Sequence, residues 1–316
     1  MKVNNKLCYN FINMSTLKTI VDSKAVHSFL KNHFSTEIFQ LEPIKGGETS
    51  QAFSFAMKGR AYVIRIHTTI DDFKKEKYAY EHFASSDIPI PRFIGLGKVV
   101  DDYFYAITEQ AKGVNLDALD LKTREKLVPQ LFFILDAIHA VDVSDKSGYG
   151  DIENSGNAHF KSWKEFILSI NSEDYFHWST IFQTTIMKQD VFDLLYKKLV
   201  DLIQYCPEER ALVHGDFGFS NVISDGERIT GVVDWSLMIY GDPLYDVAWL
   251  DLWSEQIPFG KLYKERIPKN NISKHYEERL ISYKIHQGIG ALEFFAKSGQ
   301  ENSYMWLRQR LMRLAY

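Results

Sequence analysis

Between the apolar stretches Ala211-Leu212-Val213 and Val222-Ile223 lies a polar loop, HGDFGFSN, running from His214 to Asn221; downstream, the apolar run Ile229 to Val233 ends in Asp234. A polar loop wedged between two apolar stretches needs a chemical reason, and phosphoryl transfer supplies one. That reaction asks for a carboxylate that orients a hydroxyl and accepts its proton. It also asks for amide and carboxylate oxygens that hold a metal on the nucleotide phosphates. Asp216, Asn221 and Asp234 offer those three groups. Magnesium keeps waters and phosphate oxygens in its shell, so one amide oxygen and one carboxylate suffice from the protein.

The three groups converge only if the chain between them folds back. Asp225-Gly226 is the turn chemistry of a tight reversal between two strands. A turn there pairs Asn221 with a residue near Thr230 or Gly231. At about 3.3 Å per strand residue, Asp234 then emerges beside the loop that carries Asp216. His214 reads as a satisfied core histidine. Asp242 precedes Pro243 and reads as a helix cap. Asp246 lies on the following helix beside Val247 and Ala248, where a carboxylate needs a buried partner such as the loop backbone at His214 to Asp216.

Two kinds of pattern surround this centre. From Phe39 to Ile107 alternating segments dominate: AFSFAM and AYVIRI flank the turn Lys58-Gly59-Arg60, and YFYAIT follows Asp101-Asp102, as in antiparallel hairpins. One helix interrupts them, from Asp72 to Ala84, with the stripe Phe73, Glu76, Tyr80, Phe83. After Gly113 helical periodicity takes over, in Arg124 to Ala140, Trp163 to Ile170, Val191 to Tyr205, Ser273 to Phe295 and a last helix ending near Ala315. The hairpin NVISDGERITGVVDW is the one β-element expected inside this half. The reading is therefore α+β and bilobal: a leader over residues 1–22, a sheet lobe with one helix over 23–113, and a larger, mainly helical lobe over 114–316.

Composition narrows the function. With 316 residues, 45% of them hydrophobic, the chain can bury a large core without disulfide or metal staples. A net charge of -4 disfavours nucleic acid and favours a cationic small-molecule partner. The two cysteines, Cys8 and Cys206, make neither a disulfide framework nor a zinc motif. The N-terminus lacks the apolar core of a secretory signal, and LFFILDAI is short and carries Asp136, so a cytoplasmic protein without membrane spans is expected, acting as a monomer.

The order Asp216, Asn221, Asp234 has the spacing of the catalytic loop and metal aspartate of the protein-kinase-like fold. Together, HGDFGFSN, VVDWS and GDPLYDVA resemble the aminoglycoside phosphotransferase family. Further segments similar to its hygromycin B phosphotransferases, among them QAFSF, YVIRI, HFASSDIPIP, YFHW and CPEERALVHGDFGFSNV, spread the resemblance over most of the chain after Phe29. The resemblance implies a magnesium-dependent kinase that uses ATP or GTP. It makes Asp216 the base, Asn221 and Asp234 the metal ligands, and His214 and Asp246 the braces of the loop.

It also places Arg65, in AYVIRI, where kinases of this fold usually carry a phosphate-gripping lysine; a guanidinium can do the same work. Glu76 interrupts its helix's apolar stripe and is the natural partner of Arg65. GGETSQAF, with Gly46, Gly47 and Ser50, is the candidate phosphate flap, since glycines admit close approach of backbone N–H groups. Glu109 to Ala111 is the connector expected to face the adenine. For the acceptor, implied to be an aminocyclitol such as hygromycin B, carboxylates and aromatic walls are expected from Asp174, Tyr175, His177, Trp178, Trp235, Asp251 and Glu255, while Trp249 and Trp253 read equally well as core. Two rivals stand beside this reading. A protein kinase lacks support, because little chain separates Asp234 from Asp246 and no A-P-E element is present. A catalytically silent nucleotide-binding module is disfavoured by the intact set of acid, amide and metal carboxylate. Kinases of choline, methylthioribose, fructosamines or macrolides share the fold and remain alternative substrate classes.

Overall fold

The computed structural model describes residues 21–44, 50–100, 103–267 and 274–316. Gly46 and Gly47 of the expected flap, the Asp101-Asp102 turn and most of the expected leader lie outside the described residues.

In the first half the order is α1 (Ser23–Phe34), β1 (Phe39–Ile44), β2 (Gln51–Met57), β3 (Arg60–His67), α2 (Asp71–Phe83), β4 (Phe93–Val100) and β5 (Tyr103–Glu109). The five strands form one antiparallel sheet in the order β1-β2-β3-β5-β4. Alternation builds it: Phe53, Phe55 and Met57 on β2 and Tyr62, Ile64 and Ile66 on β3 turn to one face and bury there. Lys58 and Gly59 both take positive φ, 51° and 75°, as a two-residue hairpin loop requires. Arg60 is thus the first residue of β3 rather than part of the turn. α1 closes the buried face with Val26 and Leu30, and its first turn is capped by Asp22, whose carboxylate accepts from the Ala25 N–H.

α2 starts and ends one residue earlier than its periodicity suggests. Its Ala79 and Phe83 belong to the larger core of the second half, and Phe83 lies 6.4 Å from the ring of Trp235. The helix that interrupts the sheet is therefore seated on the part of the chain that carries Asp234.

The second half runs β6 (Val114–Asn115), α3 (Leu121–His139), β7 (Tyr149–Ile152), β8 (Ala158–Phe160), α4 (Trp163–Leu168), α5 (Glu173–Phe176), α6 (Trp178–Thr184), α7 (Gln189–Leu202), β9 (Ala211–Val213), β10 (Val222–Ser224), β11 (Ile229–Val232), β12 (Ile239–Gly241), α8 (Leu244–Trp253), α9 (Phe259–Arg266), α10 (Tyr276–Lys297) and α11 (Glu301–Ala315). α10 is its axis, buried over most of its length and packed against α7, α8 and α11. α7 shows why these segments are helical: Val191, Leu195, Leu199 and Leu202 recur on one face and all bury.

The hairpin β10–β11 is not isolated. β6 joins it in a three-stranded sheet, and β8-β7-β12-β9 form a second, four-stranded sheet. These extra strands are two to four residues long, too short for a period of two to show in the sequence. Gly113, at φ 111°, lets the connector lie against β10, because a Cβ there would stand 1.9 Å from the Ser224 carbonyl oxygen. Among the described residues no helix is long and apolar enough to cross a membrane.

Candidate active site

β9 delivers the chain into the loop that carries Asp216, and the loop is gripped from behind. Asp246, on the first turn of α8, is fully buried. Its Oδ2 accepts from the His214 N–H at 3.0 Å and its Oδ1 from the Gly215 N–H at 2.9 Å. A third donor, His139 Nε2 at the end of α3, lies 3.1 Å from Oδ2. A buried carboxylate is tolerated because donors surround it. Gly215 must be glycine: its φ is 83°, and a Cβ would meet the Leu237 carbonyl at 2.0 Å.

His214 works through both ring nitrogens. Nδ1 accepts from the Asp216 N–H at 3.2 Å, so the proton sits on Nε2, which donates to the Val233 carbonyl at 3.1 Å. Burial lowers the pKa of His214 and keeps the ring neutral. The imidazole thereby ties the Asp216 backbone to the end of β11. His139 had no signal in the sequence beyond being a lone histidine at a helix end.

Asn221 hands its amide nitrogen to Asp216, donating from Nδ2 to the Asp216 Oδ2 at 2.8 Å and to its carbonyl at 2.9 Å. That leaves Oδ1, an acceptor, as the atom Asn221 can offer a cation. The hairpin register differs from the sequence expectation. Val222 pairs with Val232 and Ile223 with Gly231, and the Val233 N–H donates to the Asn221 carbonyl at 2.9 Å, so Asn221 stands opposite Val233 rather than Thr230 or Gly231. The cause is the turn. Asp225 Oδ1 accepts from the N–H groups of both Glu227 and Arg228 at 3.1 Å, stretching the loop over Asp225 to Arg228. The shift sets Asp234 directly after the partner of Asn221. Asp234 itself takes the left-handed conformation, φ 64° and ψ 63°, and accepts from the Ser236 hydroxyl at 2.9 Å.

Charge is concentrated here. Burial, and then the negative charge of Asp234, push the Asp216 carboxyl up to about 8, against hydrogen bonds from Asn221 and Trp249 that favour its ionised form. The Asp72 carboxyl is raised as well, by burial first, with Asp234 adding to the shift. A divalent cation between the Asn221 amide oxygen and Asp234 would relieve this repulsion, so the residues present fit a metal. Among the described residues no cluster of three or more His, Cys, Asp or Glu is arranged to hold an ion unaided. The shell of such an ion must be completed by phosphate oxygens and water, which is the habit of magnesium.

Arg65 and Glu76 form an ion pair between β3 and α2, with side chains only 20% and 8% exposed. The guanidinium also lies 5.4 Å over the ring of Phe73. Burial lowers its pKa, while the charges of Asp234 and Asp72 oppose the shift, which places Arg65 in the same electrostatic neighbourhood as the metal-ligand candidates. Ser50 is half-buried just before β2. The Glu109 carboxylate is engaged by Arg60 at 3.3 Å and Arg92 at 3.9 Å. Ala111 packs on Gly231, where an added Cβ would come within 2.6 Å of it.

Asp216 opens onto a cavity of about 400 Å³ whose walls include Asp117, Leu237, Trp249, Trp253, Phe294 and Phe295. The seven residues expected to meet an acceptor are not in this wall. Trp178 is buried, donates from Nε1 to the Ile170 carbonyl at 2.7 Å and stacks between Phe176 and Phe182. Trp235 is buried behind His214 and donates to the Val232 carbonyl at 3.1 Å. The Asp251 carboxylate is taken by Lys284 and by the Gly260 N–H, and Glu255 accepts from Trp306 Nε1 at 2.8 Å. Asp174 and Tyr175 sit on α5 and His177 caps it. The wall comes instead from α8 and α10, which are adjacent in space and far apart in sequence.

Residues 40–267 match the profile of the phosphotransferase enzyme family, APH. Hygromycin-B 4-O-kinase of Escherichia coli is 31% identical over 293 residues, covering 93% of this chain and 85% of that protein. The crystal structure of aminoglycoside phosphotransferase APH(4)-Ia superposes with a TM-score of 0.84 at 30% identity, covering 93% of this chain and 98% of the other. A thermostable mutant of APH(4)-Ia, solved as a ternary complex with ADP and hygromycin B, gives 0.83 at 31% identity, covering 92% and 98%.

Proposed function

The chain belongs to the APH phosphotransferase enzyme family, and on that premise we propose that it moves the γ-phosphoryl group of ATP onto the 4-hydroxyl of hygromycin B or a closely similar aminocyclitol, conferring resistance to it. The observation that carries this reading is the juxtaposition of Asp216 with an aromatic cavity large enough for part of a sugar antibiotic. The likeness to Hygromycin-B 4-O-kinase supports the choice of acceptor.

In the proposed reaction the acceptor hydroxyl donates its hydrogen bond to the Asp216 carboxylate, and its proton passes there as the oxygen bonds to the γ-phosphorus. The bond from that phosphorus to the β,γ-bridging oxygen breaks, and ADP leaves with the electron pair. Asn221 holds the Asp216 carboxylate in place through Nδ2, while its Oδ1 and the Asp234 carboxylate would hold magnesium, which when bound would neutralise phosphate charge. Arg65, fixed by Glu76, grips the phosphates, with Ser50 as a further hydroxyl beside them. Because the Glu109 carboxylate is occupied, the main chain of Glu109 to Ala111 meets the base. Asp246, His139 and His214 act through the loop backbone and are positioning residues. Two separate hydrophobic clusters support a lobe boundary near Gly113. A monomer working in the cytoplasm, where the nucleotide is, fits this reading.

The test is purified protein with magnesium and ATP or GTP, offered hygromycin B, other aminoglycosides, choline and methylthioribose, with nucleoside diphosphate release as the readout. Hygromycin-dependent release and a product carrying phosphate on its 4-hydroxyl are expected. Release with one of the other acceptors and none with hygromycin B would overturn the assignment.

A further inference from the structure

Asp246 and Trp249 stand three residues apart on α8, so they leave the same side of the helix one turn apart. Asp246 grips the backbone of the catalytic loop from behind, and Trp249 lies in the wall of the cavity onto which Asp216 opens. The indole also reaches the loop. A Cβ placed on Gly218 would stand 3.3 Å from Trp249 Nε1. Gly218 is tied to both Asp216 and Asn221: its N–H donates to the Asp216 carbonyl at 2.8 Å, and its carbonyl accepts from the Asn221 N–H at 3.1 Å. A group lying over Gly218 therefore lies beside the Asp216 carboxylate, to which the indole N–H donates.

Packing holds the indole where it is. Its ring meets that of Trp253 edge-on, at 5.2 Å and 71°, and Trp253 stacks on Trp306 of α11 at 5.6 Å and 18°. Trp306 is fixed in turn, because its Nε1 donates to Glu255 at 2.8 Å and the Arg310 guanidinium lies 5.8 Å from its ring. Arg310 is itself anchored, donating to the Asp251 and Ser254 carbonyls at 2.9 and 2.8 Å. The last helix of the chain thus supports the indole from behind the cavity wall.

A second donor matters to the base. Asn221 Nδ2 holds Asp216 Oδ2 at 2.8 Å, which leaves the carboxylate plane able to rock about that one bond, since the terminal torsion of an aspartate is soft. A donor that is locked by its own packing sets the plane, and with it the direction from which a hydroxyl proton is received. A carboxylate has about four lone-pair sites, so two donors leave room for the hydroxyl. We infer that Trp249 is a positioning residue for the base: its indole N–H fixes the Asp216 carboxylate together with Asn221, and α11 holds the indole in place through Trp253 and Trp306. The inference rests on the reading of Asp216 as the base of a kinase.

Trp249→Phe keeps an aromatic ring in the wall and removes the N–H. With magnesium, ATP and the acceptor that wild type phosphorylates, kcat is expected to fall about ten- to a hundredfold, the effect of losing one hydrogen bond to a charged group. The KM values of acceptor and ATP should stay within about threefold, whereas a residue that merely shaped the wall would move the acceptor KM and leave kcat. The contact itself is read without any acceptor, from the Trp249 indole N–H resonance in the proton–nitrogen NMR spectrum of the intact chain. That resonance is assigned by its loss in Trp249→Phe, or in Trp249→Tyr should the first variant not fold, and it is expected to move upfield in Asp216→Ala. A kcat for Trp249→Phe within about threefold of wild type overturns the inference, and so does a resonance that Asp216→Ala leaves in place. If wild type phosphorylates no acceptor, the proposed function fails, and the resonance alone then decides whether the indole holds Asp216.

Discussion

Replacing Asp246 by asparagine probes the brace behind the catalytic loop without changing its size. The carboxylate accepts from Gly215 on one oxygen and from His214 and His139 on the other. An amide has one oxygen. In its cheaper orientation it keeps the His214 and His139 bonds and turns an NH2 group toward the Gly215 N–H. One charge-assisted bond of about 1.5–3 kcal/mol is lost, and the two survivors weaken by about 1 kcal/mol each as the charge disappears. The total is about 3.5–5 kcal/mol.

Gly215 adjoins Asp216, so part of this appears as misplacement of the base. A shift of about 1 Å near the reacting atoms costs about a hundredfold in rate, equivalent to about 2.7 kcal/mol. The expected result is a kcat about a hundredfold lower, a stability loss of about 1–2 kcal/mol in urea titration, and an ATP KM within twofold, since Arg65 and Glu76 are untouched. His139→Phe should cost less, about tenfold in kcat, because it also removes the unpartnered His139 Nδ1. If both act through one carboxylate, the double variant falls short of additivity by at least about 1 kcal/mol. A kcat within threefold of wild type for Asp246→Asn, or full additivity, would refute the reasoning.

Three further outcomes follow from the same structure. Asp216→Asn should abolish turnover by at least about three orders of magnitude while preserving nucleotide affinity by calorimetry. Because the folded-state pKa of Asp216 is raised to about 8 from an ordinary value of 3.8, its contribution to stability is present below about 4 and is lost as pH rises through about 8. The same variant should therefore raise the melting temperature of metal-free protein more at pH 8.5 than at pH 5, and an equal shift at both would contradict the cause given. Arg279→Met leaves the fully buried Asp242 without the guanidinium that holds it at 2.7 Å; a destabilisation of about 3–5 kcal/mol is expected by chemical denaturation.

The sheet half was legible because its strands are long enough for alternation to repeat, although it carries two helices, α1 and α2, where one was expected. That Asp216, Asn221 and Asp234 lie together was legible because the connecting hairpin restricts their distance. What the sequence hid had physical causes. The Asp225 side chain makes its own turn, so the reversal is longer than Asp225-Gly226 alone suggests and the partner of Asn221 moves by two or three residues. Strands β7, β9 and β12 are too short to show a period. Trp178 and Trp235 share their residue type with Trp249 and Trp253, and only the packing of α8 against α10 separates core tryptophans from those of a cavity wall. His139 gains its role solely from the distant Asp246.

β12 is held on one edge by β9, through Ile239 to Gly241, and on the other by β7, through Ile239 and Tyr240. This strand occupies the short stretch between Asp234 and α8, where enzymes of related architecture carry a segment that orders and disorders to turn activity on and off. Stitched into a sheet on both sides, it cannot swing away without breaking two ladders at once. Control by ordering and disordering of this stretch is thereby closed off.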